Sequence, residues 1–167
     1  MGARALLRVL LPLGGLGAAL WPVRALEVVD LDRNRAVALY PAERFRLRYR
    51  HSVYGGTVWE HFRLAGGELV LEALEAEQEA ALEYYGLPQR PSRAGELYAV
   101  RGIRQRFGEL VVRATATGER TLLLDSLTLP LHRDREGHRV RLRAVRAPAA
   151  WVGLGAVRTL WEVRKGR

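Results

Sequence analysis

The sequence predicts an all-β fold, an antiparallel β-sandwich or partly open barrel of about eight strands, and three observations lead to this prediction. Residues 44–64 alternate polar and apolar side chains on both sides of a Gly-Gly turn, as in a β-hairpin with one buried face. Residues 139–144 alternate arginine with apolar side chains in the same way. The chain between them consists of short apolar runs separated by glycine, proline and polar turn residues.

The first 25 residues have the pattern of a secretory signal peptide. Arg4 and Arg8 precede an uncharged run over residues 9–23, which is shorter than the roughly 20 apolar residues of a membrane-spanning helix. We expect cleavage after the small residue Ala25, with an uncleaved anchor as the alternative. The predicted location is periplasmic or otherwise extracytoplasmic, with membrane association as a further option.

Composition narrows the classes of function. The chain has no cysteine, which excludes a lipoprotein anchor, a disulfide framework and a thiolate metal site. Its formal charge of +9 falls to +6 if Arg4, Arg8 and Arg24 are removed with the signal peptide. Export argues against a nucleic-acid partner. An acidic protein, an anionic membrane surface or a small anionic ligand is the expected partner.

A first hairpin is predicted from two apolar runs, residues 26–31 and 36–40, because the polar residues 32–35 between them form a turn. Pro41 should end the second strand, since proline lacks the N–H that a sheet requires. These strands open the predicted β domain, residues 26–147.

The central hairpin carries different chemistry on its two faces. Its inward face combines apolar residues with two polar ones, namely Phe45, Leu47, Tyr49, His51, Val53, Val58, Glu60, Phe62 and Leu64. A four-residue turn at 54–57 would place His51 directly opposite Glu60. We interpret His51 and Glu60 as a structural polar pair that fixes strand register. The alternatives are a general base with its orienting acid, or two metal ligands.

The outward face of the same hairpin is basic. Alternate positions hold arginine, and the return strand adds an indole and an imidazole, so that the candidate surface for an anion or a partner comprises Arg46, Arg48, Arg50, Trp59 and His61. Parallel guanidinium groups suit carboxylate binding.

An acidic segment follows at residues 68–83, with six glutamates and no basic residue. We predict a strand from residue 68 and a helical turn over 75–84. The acids would form a solvated face or neutralise the arginines.

Residues 86–95 are a predicted loop. Further strands are predicted at 97–101, 110–116 and 121–124, with residues 117–120 as the turn between the last two.

Two further groups of residues need interpretation. His132, Asp134, Glu136 and His138 cluster in a polar turn; the sequence favours a solvated loop over a metal site, and no metal or cofactor is predicted. In the tail, residues 148–167, apolar residues recur at near-helical spacing. This predicts a short amphipathic helix that packs on the sandwich or contacts a membrane or partner through Trp151, Arg158 and Trp161.

Several of these residues resemble a known family. The pattern F-x-L-x-Y-x-H-S-V at residues 45–53, the acid Glu60 and the run G-G-E-L-V-L at 66–71 are similar to a family of small bacterial exported proteins of unknown function. The resemblance extends over roughly residues 39–146, although a glycine-rich stretch of the family is reduced here to Gly86-Leu87-Pro88. Members are often encoded beside tripartite ATP-independent periplasmic (TRAP) transporters of the TAXI class. The resemblance implies a setting rather than an activity.

Three functions are therefore expected, in this order. The first is a non-enzymatic extracytoplasmic accessory protein that docks on the membrane subunit or the solute-binding protein of a TAXI-type TRAP transporter. The second is a small-anion (carboxylate)-binding β module that uses the arginine-lined sheet face. The third is a hydrolase using His51 and Glu60; under the first two hypotheses no residue is catalytic.

Overall fold

The computed structural model describes residues 20–125 and 127–152. These residues form eleven strands and one short helix, α1 (Glu79–Glu83), and residues 149–152 are helical as well. The strands are β1 (Pro22–Asp30), β2 (Arg35–Pro41), β3 (Arg44–Arg50), β4 (Thr57–Ala65), β5 (Glu68–Ala76), β6 (Ser92–Ala94), β7 (Leu97–Phe107), β8 (Leu110–Arg113), β9 (Thr121–Leu124), β10 (Leu127–Pro130) and β11 (Arg139–Pro148).

The strands form two antiparallel sheets that do not close into a barrel. The smaller sheet has the order β2-β1-β11-β8, and the larger has the order β10-β9-β3-β4-β5-β7-β6. The predicted all-β antiparallel class is therefore confirmed. In the part of the chain that the structure describes, no helix combines the length and apolar character needed to cross a membrane.

One core joins the two sheets. Leu26 and Leu142 of the smaller sheet and Leu47 and Leu74 of the larger are fully buried in a single apolar cluster. Period-2 alternation explains this arrangement, because each strand turns every second side chain inward. Truncating one of these leucines to alanine would cost roughly 2 to 5 kcal/mol.

The register of the central hairpin differs from the prediction. Leu47, not His51, lies opposite Glu60, and Arg50 lies opposite Thr57, so the connection spans residues 51–56. The shift is an even number of residues, which is why the predicted faces are correct although the predicted pairs are wrong. The longer loop forms because Gly55 and Gly56 both adopt positive φ and the imidazole of His51 bonds loop N–H groups.

The connection after β8 was also predicted wrongly. Instead of a hairpin with β9, β8 pairs with β11 in the smaller sheet, whereas β9 pairs with β3 and β10 in the larger. Residues 114–120 therefore cross from one sheet to the other. This crossing brings Arg120 close to β3, which local sequence pattern could not indicate.

The first strand begins earlier than predicted. β1 starts at Pro22, and the predicted cleavage point, Ala25, is fully buried and paired with Val145 of β11. Cleavage after Ala25 would remove four paired residues of β1, so the predicted boundary at residue 25 lies inside the sheet. Residues 1–19, on which most of the signal-peptide prediction rests, lie outside the described residues.

Candidate functional site

A cavity of about 440 Å³ opens where the end of β3 meets the segment after α1 and the crossing segment 114–120. We call it the Glu60 cavity. Its lining residues are Tyr49, Arg50, His51, Ser52, Val53, Glu60, Tyr84, Tyr85, Arg113, Thr115, Thr117, Gly118 and Arg120. A volume of this size lies in the range of small-molecule sites.

A chain of hydrogen bonds runs through the cavity wall. The Tyr85 hydroxyl donates to Oε1 of Glu60 at 2.6 Å. The Tyr49 and Tyr85 hydroxyl oxygens are 2.5 Å apart. Because the Tyr85 proton is directed to Glu60, the Tyr49 hydroxyl donates to Tyr85. The register explains how Tyr49 and Glu60 come together, since both belong to the inward face of the β3–β4 pair.

Burial dominates the acid–base chemistry of this chain. It raises the pKa of Glu60, and neither the Tyr85 hydrogen bond nor the positive charge of Arg120 outweighs that effect. Burial and the nearby Glu60 charge also raise the pKa of both Tyr49 and Tyr85. The enclosed carboxyl therefore retains a proton to higher pH than an exposed glutamate, while both phenols stay protonated.

Basic side chains surround this carboxyl. The Arg120 guanidinium lies over the Tyr49 ring, 4.6 Å from its centroid, in cation–π geometry. Arg50 and Arg113 also line the cavity. None of these three arginines forms an ion pair with a residue in the described ranges. The cavity thus has more positive charge than its one carboxyl can balance.

His51 lines the same cavity but does not form the predicted pair with Glu60. Its Nδ1 accepts from the backbone N–H groups of Val53 at 3.2 Å and Tyr54 at 3.3 Å, and the residue is 6% exposed. The directly opposed His51–Glu60 pair is therefore wrong, and the reason is the capping of the loop by the imidazole. Since Nδ1 accepts, the ring proton resides on Nε2, which no described residue bonds.

The outward arginines lie where the sequence predicts them. Arg46 and Arg50 are exposed and Arg48 is half-buried. Across the β3–β4 pair, Arg48 faces the half-buried Trp59 and Arg46 faces His61.

His61 differs from these arginines because its Nε2 lies 3.1 Å from a carboxylate oxygen of Glu75. A second cavity, of about 450 Å³, contains Arg44, Arg46 and His61 together with Glu72 and Asp125.

The polar turn before β11 has a structural role that the sequence did not indicate. Nδ1 of His138 lies 2.9 Å from Oδ2 of Asp30, which is 2% exposed. Burial raises the pKa of Asp30, but the hydrogen bonds from His138 and from the N–H groups of Arg33 and Asp32 outweigh burial and hold the pKa below its usual range. Asp30 therefore joins the β1–β2 turn to the start of β11.

The candidate contact residues of the C-terminal tail lie only partly within the described residues. Trp151 is 66% exposed, and Trp21, which directly precedes β1 and accepts a hydrogen bond from the Ala149 N–H at 3.0 Å, is 70% exposed. Arg158 and Trp161 lie outside the described residues. Within residues 20–125 and 127–152, no three His, Asp or Glu side chains gather in a way that could hold a metal ion.

Sequence reasoning missed Tyr49, Tyr85 and Arg120 as members of one site. A signal did exist for Tyr49, because a tyrosine and a glutamate on the same inward face both need hydrogen-bond partners there. Tyr85 and Arg120 lie in connecting segments without periodic pattern, so only the tertiary structure places them beside Glu60.

This is thus a two-sheet antiparallel β protein with a basic, tyrosine-lined cavity around a half-buried carboxyl. The chain belongs to the family described as Domain of unknown function (DUF1850), whose model matches residues 45–131. The matched region includes both faces of the central hairpin and all the residues that line the Glu60 cavity. No curated protein and no solved structure matches the chain. The expected link to TAXI-class transporters stays a prediction.

Proposed function

We propose that this protein is a non-enzymatic extracytoplasmic accessory protein of a TAXI-type TRAP transporter, which it contacts through the outer arginine row Arg46, Arg48 and Arg50. One observation supports this role above the others: these three arginines form no ion pair with any described residue, although carboxylates lie on neighbouring strands. Guanidinium groups left without partners on one strand face suit binding to carboxylates of another molecule.

Neighbouring basic residues of the same sheet are neutralised internally. Glu72 lies within ion-pair distance of Arg44 and Arg63, and Glu75 bonds both His61 and Arg101. The acidic segment thus neutralises basic residues of β4 and β7 and the first arginine of β3, Arg44, but leaves the outer arginine row without ion pairs. Successive members of that row are about 7 Å apart, because every second residue of a strand shares a face. An acidic surface on the membrane subunit or the solute-binding protein would match this spacing.

The exposed indoles offer a second contact of different chemistry. Trp21 and Trp151 lie where β1 begins and β11 ends, and both are more than half exposed. Tryptophan favours the interface between water and lipid. This pair supports an orientation in which the protein lies close to the membrane that holds the transporter.

The test is co-purification from native membranes in mild detergent. We compare the wild type with the double variant Arg46→Gln/Arg48→Gln. The control is Arg90→Gln/Arg133→Gln, which removes the same charge from exposed arginines of other loops. We expect the transporter to be recovered with the wild type and the control, and at least about 10-fold less with the β3 variant. Recovery of the wild type without any transporter component would refute the proposal.

A small anion is the second candidate for the outer arginine row, because the same unpaired guanidinium groups could bind a dicarboxylate or phosphate. Calorimetry with succinate, glutamate and phosphate tests this alternative. Heat that disappears in Arg46→Gln/Arg48→Gln would favour it. The hydrolase hypothesis is less well supported, because the imidazole of His51 does not pair with Glu60 and accepts from a loop N–H group instead.

A further inference from the structure

We propose that the Glu60 cavity is a binding site for a small organic carboxylate with an apolar body. The carboxylate would lie between Arg120, His51 and Glu60, and the apolar part would lie against the aromatic residues at the rim. This inference goes beyond the proposed function, because it assigns a ligand to the Glu60 cavity rather than a partner to the outer arginine row; Arg50 belongs to both, so the variants that separate the two sites leave it unchanged.

Charge is the first argument. Arg50, Arg113 and Arg120 line the cavity and form no ion pair within the described part of the chain, whereas Glu60 is the one carboxyl among the lining residues. Even with Glu60 ionised, an anion would meet more positive than negative charge. Two of the three are held in place: the Arg120 guanidinium stacks over the Tyr49 ring at 4.6 Å, and Nη1 of Arg113 donates to the carbonyl oxygen of Gly137 at 3.1 Å. A guanidinium held in this way loses little freedom when it binds a carboxylate.

Unused hydrogen-bond donors are the second argument. His51 is 6% exposed, its Nδ1 is occupied by two loop N–H groups, and its Nε2–H has no acceptor among the described residues. Because His51 lines the cavity, this donor is available to a ligand or water there.

Glu60 adds a second donor when it carries a proton. Tyr85 donates to Oε1, so the proton of the neutral carboxyl resides on Oε2, which no described residue bonds. Burial raises the pKa of Glu60 and therefore favours this neutral form. A neutral carboxyl can donate to a ligand carboxylate, whereas an ionised one would repel it.

The rim supplies the apolar surface. Tyr84 is 68% exposed and Val53 is 67% exposed. The rings of Tyr54 and Tyr84 each lie 5.3 Å from the His51 ring, measured between centroids. Apolar side chains left in water around a polar cavity are typical of a site that also binds the nonpolar part of a ligand.

The experiment is isothermal titration calorimetry of the full chain with benzoate and hexanoate. Benzamide serves as the uncharged analogue of benzoate. Titration extends to about 10 mM, where weak small-molecule sites are still detected. We expect saturable binding of at least one carboxylate and none of benzamide. Equal binding of benzamide, or no binding of either carboxylate, would overturn the proposal.

Variants locate the site. Arg120→Gln should weaken carboxylate binding at least about 10-fold, whereas Arg104→Gln, an exposed arginine of β7, should leave binding unchanged. If Arg120→Gln does not fold, Arg113→Gln provides the second variant, with an expected weakening of severalfold. Unchanged affinity in the folded cavity variants, or the same loss in Arg104→Gln, would refute the assignment. Arg46→Gln/Arg48→Gln should retain binding, which separates this test from that of the transporter.

Discussion

Asp30 and Glu60 are both enclosed carboxyl groups at sheet positions, yet their surroundings act in opposite directions. Asp30 accepts from two backbone N–H groups and lies 2.9 Å from the imidazole of His138, and its pKa is lowered. Glu60 accepts one hydrogen bond, from Tyr85, and its pKa is raised by burial. The hydrogen-bonding capacity of Asp30 is satisfied within the fold. Glu60 keeps an oxygen without a protein partner, and it lines a cavity.

The difference shows how to separate structural from functional polar groups. A buried carboxylate that accepts several hydrogen bonds stabilises the native state and has little hydrogen-bonding capacity left for another molecule. A carboxyl with one donor and a raised pKa costs stability when ionised, and its unused oxygen remains available to a ligand. Substitutions at the two carboxyl groups and their partners should reveal this contrast in stability measurements.

Asp30→Ala should destabilise the protein by about 3 kcal/mol, because it leaves two backbone N–H groups and His138 without their acceptor. Urea unfolding at pH 7 measures the change. Asp134→Ala is the matched control, since its carboxylate is exposed in a neighbouring loop, and it should change stability by less than about 0.5 kcal/mol. Equal effects of the two substitutions would show that Asp30 has no special structural role.

Tyr85→Phe should cost about 2 kcal/mol and Tyr49→Phe about 1 kcal/mol, because the Tyr85 hydroxyl makes two hydrogen bonds and the Tyr49 hydroxyl makes one. Tyr54→Phe, whose ring is 46% exposed, is the control and should be neutral. If Tyr49→Phe costs more than Tyr85→Phe in urea unfolding, Tyr85 is not the middle member of the hydrogen-bond chain.

Glu60→Gln should stabilise the protein at pH 8 by about 1 kcal/mol and have no effect near pH 4. The sign follows from the raised pKa of Glu60. The folded state holds the proton more tightly than the unfolded chain, so wild-type stability falls as pH rises from about 4.3 through the folded pKa. Glutamine mimics the neutral form and avoids this loss.

Unfolding curves from pH 4 to pH 8, with Glu96→Gln as an exposed control, measure this gain. A destabilised Glu60→Gln at pH 8 would mean that the ionised carboxylate is favoured in the fold, contrary to its raised pKa.

Asp30→Asn should show the opposite pH dependence, with an effect no larger than that of Glu60→Gln. The variant keeps an oxygen for the loop N–H groups but loses the charge opposite His138, which we expect to cost about 1 kcal/mol at pH 7. Because the pKa of Asp30 is lowered, its contribution is complete above the unfolded value of about 3.9 and is lost as pH falls through the folded pKa. The difference in free energy of unfolding between the wild type and Asp30→Asn should therefore become smaller as pH falls. A difference that grows on acidification would contradict the assigned direction.

Local patterns were sufficient for most strands of this protein. Alternation in β3, β4 and β11 identified which side chains face inward, and the polar turn correctly separated β1 from β2, although β1 begins four residues earlier than predicted. β10, whose four residues are too few for a clear period, was not predicted. The pairing of β8 with β11 was missed because nothing local distinguishes a hairpin turn at 117–120 from a crossing between sheets.

The candidate site was predicted only in part. His51 and Glu60 were correctly singled out as the polar residues of an inward face, and both line the Glu60 cavity. Their direct pairing was wrong, because the choice between a four-residue turn and a six-residue loop depends on a side chain bonding loop N–H groups. Asp30 and His138 are 108 positions apart in the chain, so their contact had no local signal.

The period-2 geometry of each strand made three features predictable from residue order: the all-β class, the two faces of the central hairpin and the outward position of the arginine row. Which carboxyl is satisfied and which lines a cavity depended instead on the packing of distant segments. The reason is physical: the pKa and hydrogen bonding of a buried group depend on partners brought by distant segments, here Tyr85 and Arg120 for Glu60 and His138 for Asp30.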